Sequence, residues 1–436
     1  MRIAFRIAGL LAAWVAVTPG RATATTLTNS QIFSQFNAVI FDNFSANSEV
    51  EGRVVVGGNV TSGSSFTIKS GLNASSFGAL SVYGSVTDSG PINVDNGCSV
   101  AIAGSNSATF NLNGGGSAYV GGTSNGTLKA ADSSSNLTVI GTNNGGLSLA
   151  NGGSVYVGNG NAGNITSNGT ATLGINGGTS GGVSLNSGST LSLNGGNTGT
   201  IVLNGGSLTY AGSEGNVTNI NGGTITQAAK VNLTAPTSTL GSFATTFQIP
   251  LTQLSTQLSG VAANSTASSS SGAVTFNAAP NSSGVAVFNI NSSLFSGAST
   301  VTMNLDGATS VIINVNVDSC STNVCTFAPT ANFQKPTDYA SAVLWNFVNA
   351  TNLNFTTEFG GSILAPDATV DNAGSIDGTL VAANDTGSTG ELHSYSYTGT
   401  FPGSSVPAPE PASLMLLGTG IAGLAAIRRR RVRRDT

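Results

Sequence analysis

The chain has 436 residues; 7% are charged, 39% hydrophobic and 6% aromatic, with 59 glycines and a formal net charge of −4. So little charge, with a mean hydropathy of +0.17, excludes an ordinary disordered polymer, and so few aromatics argue against one large globular core. Residues 25–411 hold five basic residues (Arg53, Lys69, Lys129, Lys230 and Lys335) against 17 acidic ones, which argues against a nucleic-acid partner, because phosphate binding needs a basic face.

At the N-terminus, Arg2 and Arg6 precede an apolar run over 7–17 and then Ala22-Thr23-Ala24. This is the layout of a secretory signal peptide cleaved at a small-x-small site, Ala22 and Ala24, so residues 1–24 are expected to be removed on export. A membrane anchor is the alternative, and the run is short for one.

The body, 25–402, carries a repeat. The pattern apolar-x-apolar-Asn-Gly/Ser-Gly occurs as FNLNGG (110–115), LGINGG (173–178), VSLNSG (183–188), LSLNGG (191–196) and IVLNGG (201–206), with a looser TNINGG from Thr218. Each unit offers two apolar residues at period two, a short half-buried strand, followed by glycines suited to a sharp corner. Starts 8 to 10 residues apart make pairs of units recur at about 18. Thin side chains and Gly/Asn corners at that period predict an all-β solenoid rather than a sandwich, with like residues stacked at about 4.8 Å and inward asparagines bonded into ladders. Both ends of such a stack need caps.

Residues 240–266 break the pattern. Phe247, Leu251, Leu254, Leu258 and Val261 lie on one helical face, with Pro250 early and Gly260 late. A helix over about 242–264 is expected along one flank, dividing a Gly/Asn-rich half from a half with longer strands such as GVAVFNI and SVIINVNV. Cys320 and Cys325 are expected to form a disulfide worth roughly 2 kcal/mol. Cys98 is left as buried filler or a dimerisation site.

The C-terminus has a linker and Pro409-Glu410-Pro411 (403–411), an apolar stretch (412–427) and a basic tail (428–436) with Arg428, Arg429, Arg430, Arg431, Arg433 and Arg434. Each arginine costs roughly 2.5–3.5 kcal/mol at the bilayer centre, so the stretch reads as a stop-transfer transmembrane segment with its tail in the cytoplasm and the body outside.

Motifs that carry chemistry are sparse. Gly158-x-Gly160-x-x-Gly163 follows a strand, but no helix follows it, as a dinucleotide site requires. Gly178-x-Ser180-x-Gly182 imitates a nucleophile elbow, yet the single histidine, His393, has no evident reason to approach it. A lone histidine is a poor basis for a metal site. Asp367, Asp371, Asp377 and Asp385 read as solvated corner residues, with Ca²⁺ binding or a glycosidase carboxylate pair as alternatives. No catalytic residue, cofactor or metal is therefore expected.

The tripartite tail closely resembles the PEP-CTERM sorting signal of Gram-negative bacteria, which implies exosortase as a partner and processing near Pro409, Glu410 and Pro411. Blocks in the body resemble the choice-of-anchor A domain: FNAVIFDNFSANSEVEGRVVVGGNV (36–60), VIINVNV (311–317), AVLWNFVNATNLNF (342–355), GSILAPDATV (361–370), IDGTLVAAN (376–384) and ELHSYSYTG (391–399). Phe41-Asp42-Asn43-Phe44 departs from the family's common Gly-Asp-Phe. The resemblance implies a right-handed β-helix-like domain with an adhesive role and no catalytic residues. The expected function is an exported surface or matrix protein, associated with biofilm, exopolysaccharide or surface glycans. An ice- or carbohydrate-lattice-binding solenoid is the alternative, and a polysaccharide-active β-helix enzyme a further one.

Overall fold

Residues 18 or 19 apart lie side by side. Phe110 pairs in parallel with Leu128, Leu128 with Leu147, Leu147 with Ile165, Ile165 with Val183 and Val183 with Ile201. A computed structural model describes residues 27–402, apart from Ser187 and Ser388, as an all-β right-handed solenoid. The repeat units alternate between two faces of the coil. LGINGG and LSLNGG end strands of the first face (Ala171–Ile175 and Thr190–Leu193), whereas VSLNSG and IVLNGG end strands of the second (Val183–Leu185 and Thr200–Asn204). One turn therefore consumes two units, which explains the period.

The motif's glycines do different work at the two corners. After second-face strands, Gly114, Gly188, Gly205 and Gly222 adopt positive φ, as expected of a sharp turn. After first-face strands, Gly177 and Gly195 do not. There a Cβ would overlap the backbone of the neighbouring turn, at the Asn159 carbonyl and at Gly178.

The turns are not stacked in chain order. Ala38–Ile40 pairs on one side with Val54–Val56 and on the other with Leu380–Asp385. The Gly/Asn-rich half climbs away from this seam to Thr224–Gln227. The chain then returns along the first face, where Leu233 lies against Gly174, to a hairpin (Thr266–Ser270 with Ala273–Asn277) at the other end. From there the second half coils back to the seam. Among the described residues that hairpin closes one end; at the other, Ile220 is 45% exposed.

The two halves have different cores. Thin aliphatic layers, such as Leu147 and Leu149 over Ile165, fill the first. Aromatics fill the second: Trp345 packs on Phe276, Phe333 and Phe359 and donates its indole N–H to the Gly360 carbonyl at 2.9 Å.

A second apolar cluster lies outside the coil, over the seam. Val39, Val55, Ile312, Leu344, Leu364 and Val381 point outward from the first face and are buried. This is why those strands read as unbroken apolar runs. Two helices cover them, α1 (Asn29–Gln35) and α2 (Ile249–Ser259), the latter using Leu251, Leu254 and Leu258. The helical segment opens with a π-helical turn, Ala244–Gln248, compatible with the donor that Pro250 lacks. It stops at Gly260, short of the expected 264, because Asn264 turns to bond the Val285 carbonyl.

Candidate functional site

Two features stand out among the described residues: an uncovered flat face and a cluster of ionisable groups beside the seam. The second face has an apolar inner side and a small polar outer one, because side chains alternate along each strand. One outward column runs Asn111, Lys129, Ser148, Thr166, Ser184, Val202, each residue in register with the next. Asn111 reaches back to Asn93 at 2.9 Å, and Thr166 donates to Ser148 at 3.3 Å. In the adjacent column Gly182 separates Asn164 from Thr200. The missing side chain leaves a shallow depression lined by Asn164, Thr166, Ser184 and Val202.

Beside this surface, in the corner between the first-face and second-face strands, lies an inward polar ladder. Asn143 donates to Asn161 Oδ1 at 2.7 Å and Asn161 to Thr179 at 3.0 Å, both buried. Each also holds its own corner, on the carbonyls of Gly145 and Gly163. These are not the asparagines of the repeated motif. The motif's own form an outer ladder, with Asn194 on Asn176 at 2.9 Å and Asn113 on Asp95 at 2.9 Å.

The ionisable cluster sits on three successive strands of the second face. Gly360 pairs with Asp377, and Asp377 with His393. Asp377 is fully buried, and its Oδ1 lies 2.6 Å from His393 Nδ1. Its other oxygen, Oδ2, is buried without a hydrogen-bond partner. His393 Nε2 lies 3.0 Å from Glu391. Glu358 completes the group: one ligand atom each from Glu358, Asp377 and His393 lie within 4.8 Å of one another. The Asp377 hydrogen bond, helped by Glu391, holds the imidazole up at about 9 despite its burial. Burial and the nearby Asp377 push the Glu358 carboxyl up as well.

A family model described as "Putative Ice-binding-like adhesive domain" matches residues 29–147 and 143–394. The chain belongs to this family. A second, described as "PEP-CTERM protein-sorting motif", matches 407–431. The ice-binding-like adhesive domain and the sorting motif together make this an exported, adhesin-like surface protein. No curated protein matches the chain. Two solved structures resemble it weakly. The tapirin C-terminal domain of Caldicellulosiruptor kristjanssonii is 12% identical, with 87% of this chain and 99% of that one covered and a TM-score of 0.22. An ice binding protein from an Antarctic bacterium, Flavobacteriaceae, is 13% identical, with 87% and 100% covered and a TM-score of 0.21. Likenesses this low carry no weight for function.

In this adhesive domain two of the four aspartates grouped on sequence depart from the expected solvated corner residues. Asp367 is exposed, but Asp377 and Asp385 are buried: Asp385 comes into register with the core residues Phe44 and Val370 after a register shift, and Asp377, next to the inward Ile376, is covered on the outer side of its strand. Burial raises Asp385 to about 7, partly offset by the Gly387 N–H and reinforced by Asp371. The sequence reading missed that Asp377 and Glu358 face the single histidine; their spacing in the chain matches no ligand motif, and only the pairing of turns unites them. Gly158 and Gly163 are glycines because a Cβ would overlap the carbonyls of Ile140 and Gly145. Ser180 lies on the corner before Val183–Leu185, eight strand steps along the face from His393, roughly 38 Å at about 4.8 Å a step. Cys320 and Cys325 are joined by a disulfide, and Cys98 is a free, partly buried thiol against the core. No helix among the described residues is long and apolar enough to cross a membrane. Ala22, Ala24, Pro409, Glu410, Pro411, the 412–427 segment and the six tail arginines lie outside the described residues.

Proposed function

We propose that the exposed second face holds glycans, exopolysaccharide in biofilm or carbohydrate on another surface, and that the protein is a non-enzymatic member of the choice-of-anchor A group. The observation that carries this reading is the flat column of small polar side chains from Asn111 to Val202, repeated turn by turn with a shallow depression at Gly182. A repeating polymer meets a repeating array of weak hydrogen bonds, and the many contacts add up by avidity. The column mixes Asn, Lys, Ser, Thr and Val, which argues against the regular threonine row suited to an ice lattice. The acid pair of the ionisable cluster argues against glycoside hydrolysis there: Glu358 and Asp377 sit nearer than the roughly 5–5.5 Å of retaining enzymes, and Asp377 is sealed from solvent.

In this reading residues 1–24 are removed on export, and 412–427 crosses the inner membrane with the six tail arginines inside. Exosortase recognises Pro409-Glu410-Pro411 before the domain reaches the surface. Mass spectrometry of the exported protein tests the sorting step: the wild type lacks the arginine tail and Glu410→Ala retains it. A glycan array tests the face. Thr166→Trp and Ser184→Trp, both outward and exposed, reduce polysaccharide binding at least tenfold without moving the unfolding midpoint. Silence across the array, or inhibition of ice recrystallisation, rejects the glycan reading.

A further inference from the structure

Asp377 combines full burial, a charge-bearing side chain and an oxygen with nothing to bond. A buried carboxylate oxygen without a donor costs several kcal/mol in general, and such sites persist where something fills them. No hydrogen bond reaches that oxygen. Glu358 and Glu391 bring more negative charge, and Glu51 lies in the next turn, where Val50 pairs with Leu392. Tyr339 is also buried, with its hydroxyl unpartnered. Lys69 is engaged elsewhere, 3.7 Å from Glu51 and bonded to the Ser394 carbonyl at 2.7 Å.

We propose that Glu358, Asp377 and His393 bind one divalent transition-metal ion of the zinc class, clamping three successive turns beside the seam. The donor set is two carboxylates and one imidazole, which suits zinc better than calcium, an ion that takes six to eight oxygens. Two donors about 2.0–2.2 Å from a shared ion stand at most about 4.4 Å apart, so a group whose ligand atoms lie within 4.8 Å of one another closes on the ion with a small movement of the exposed Glu358 side chain. Only the imidazole's position has to be explained. An arriving ion takes the place of the Nδ1 proton that bonds Asp377, while the Nε2 proton stays on Glu391 at 3.0 Å, and the freed Nδ1 lone pair joins Asp377 and Glu358 around the ion. A carboxylate behind the histidine is the usual outer shell of such a ligand. Glu358 is exposed, so the site opens to solvent on one side and an ion can enter. The chain's one histidine suffices because the stacked turns supply the remaining ligands. This inference stands apart from the glycan reading.

Zinc titration of the exported full-length product, stripped with EDTA, tests the site. One equivalent binds, the unfolding midpoint rises by several degrees and EDTA reverses the rise. Glu358→Gln, at an exposed position the fold tolerates, weakens zinc binding at least tenfold and leaves the EDTA midpoint unchanged. His393→Gln weakens it equally. Absence of binding and of any midpoint shift with zinc or manganese overturns the proposal. Undiminished binding in both variants overturns the assignment of ligands, and tighter binding of calcium than of zinc overturns the class of ion.

Discussion

Asparagine takes opposite positions in this protein, and the distinction is energetic. Asn161 is buried, accepts from Asn143, donates to Thr179 and holds the Gly163 carbonyl. Removing its side chain leaves those groups unpaired away from water, so Asn161→Ala costs about 1–3 kcal/mol. Asn113 makes a similar bond to Asp95 in contact with solvent. Asn113→Ala stays within about 0.5 kcal/mol, and denaturant titration of the pair separates the two. Asp385 yields a pH dependence. Its folded pKa, raised by burial to about 7, exceeds the ordinary carboxylate value, so the folded chain holds a proton that the unfolded chain has lost. Stability therefore falls as pH rises from about 4 to 7 and stays low above that window, by at most about 4 kcal/mol from this group. Asp385→Asn flattens that slope and raises the unfolding midpoint at pH 8, measured by thermal unfolding across pH. The corner glycines and the 18-residue period were legible because they recur in the chain. Which asparagine faces inward was not, since it depends on where each turn's alternation begins, and neither was the sealing of Asp377, which depends on which distant segments cover its strand.

At the scale of elements, α2 shows how far periodicity reaches. The spacing of Phe247, Leu251, Leu254 and Leu258 identified the buried stripe. What lies beside the apolar contact was invisible: a column of asparagines, Asn289, Asn314 and Asn346, bonded to one another at 2.8 Å on the outward side of the strands. Asn314 reaches the Leu258 carbonyl and Asn346 that of Ser255, whose hydroxyl returns a bond at 2.7 Å. The helix is thus fixed by side chains that bond its own backbone as well as by grease. Leu254→Ala costs about 2–5 kcal/mol by the usual penalty for a buried leucine, and hydrogen exchange places the loss in α1 and α2 rather than in the distant glycine-rich turns. The first helix carries a readable signal that the sequence reading passed over: Thr28 and Gln31 form a reciprocal capping box, with bonds of 3.2 and 2.8 Å.

On the scale of the whole molecule, the seam is what sequence order concealed. Nothing in a list of strands says that Ala38 will lie beside Leu380, or that Asn37 will bond the Gly378 carbonyl at 2.8 Å across 341 residues. Such contacts form late, because closing so long a loop must precede any reward. A circular permutant makes this testable. Phe33 and Phe401 have ring centroids 5.5 Å apart, so a short linker can join residue 402 to residue 27, with new ends opened near 236 in the exposed return segment. The permutant lays its turns down in chain order. It refolds faster than the natural chain, by stopped-flow fluorescence, with an unfolding free energy within about 1 kcal/mol.

The same topology decides where the molecule is gripped. Residue 402 lies beside the seam, its carbonyl held by Gln257 of α2 at 2.8 Å, with five strands of the first face stacked on one side of Ala38–Ile40 and ten on the other. A tether there holds the protein at its waist, not its foot. On the proposed glycan reading, drag on a bound polymer acts on a long stiff arm as on a lever, and the load gathers at the short strand that knits the two halves together.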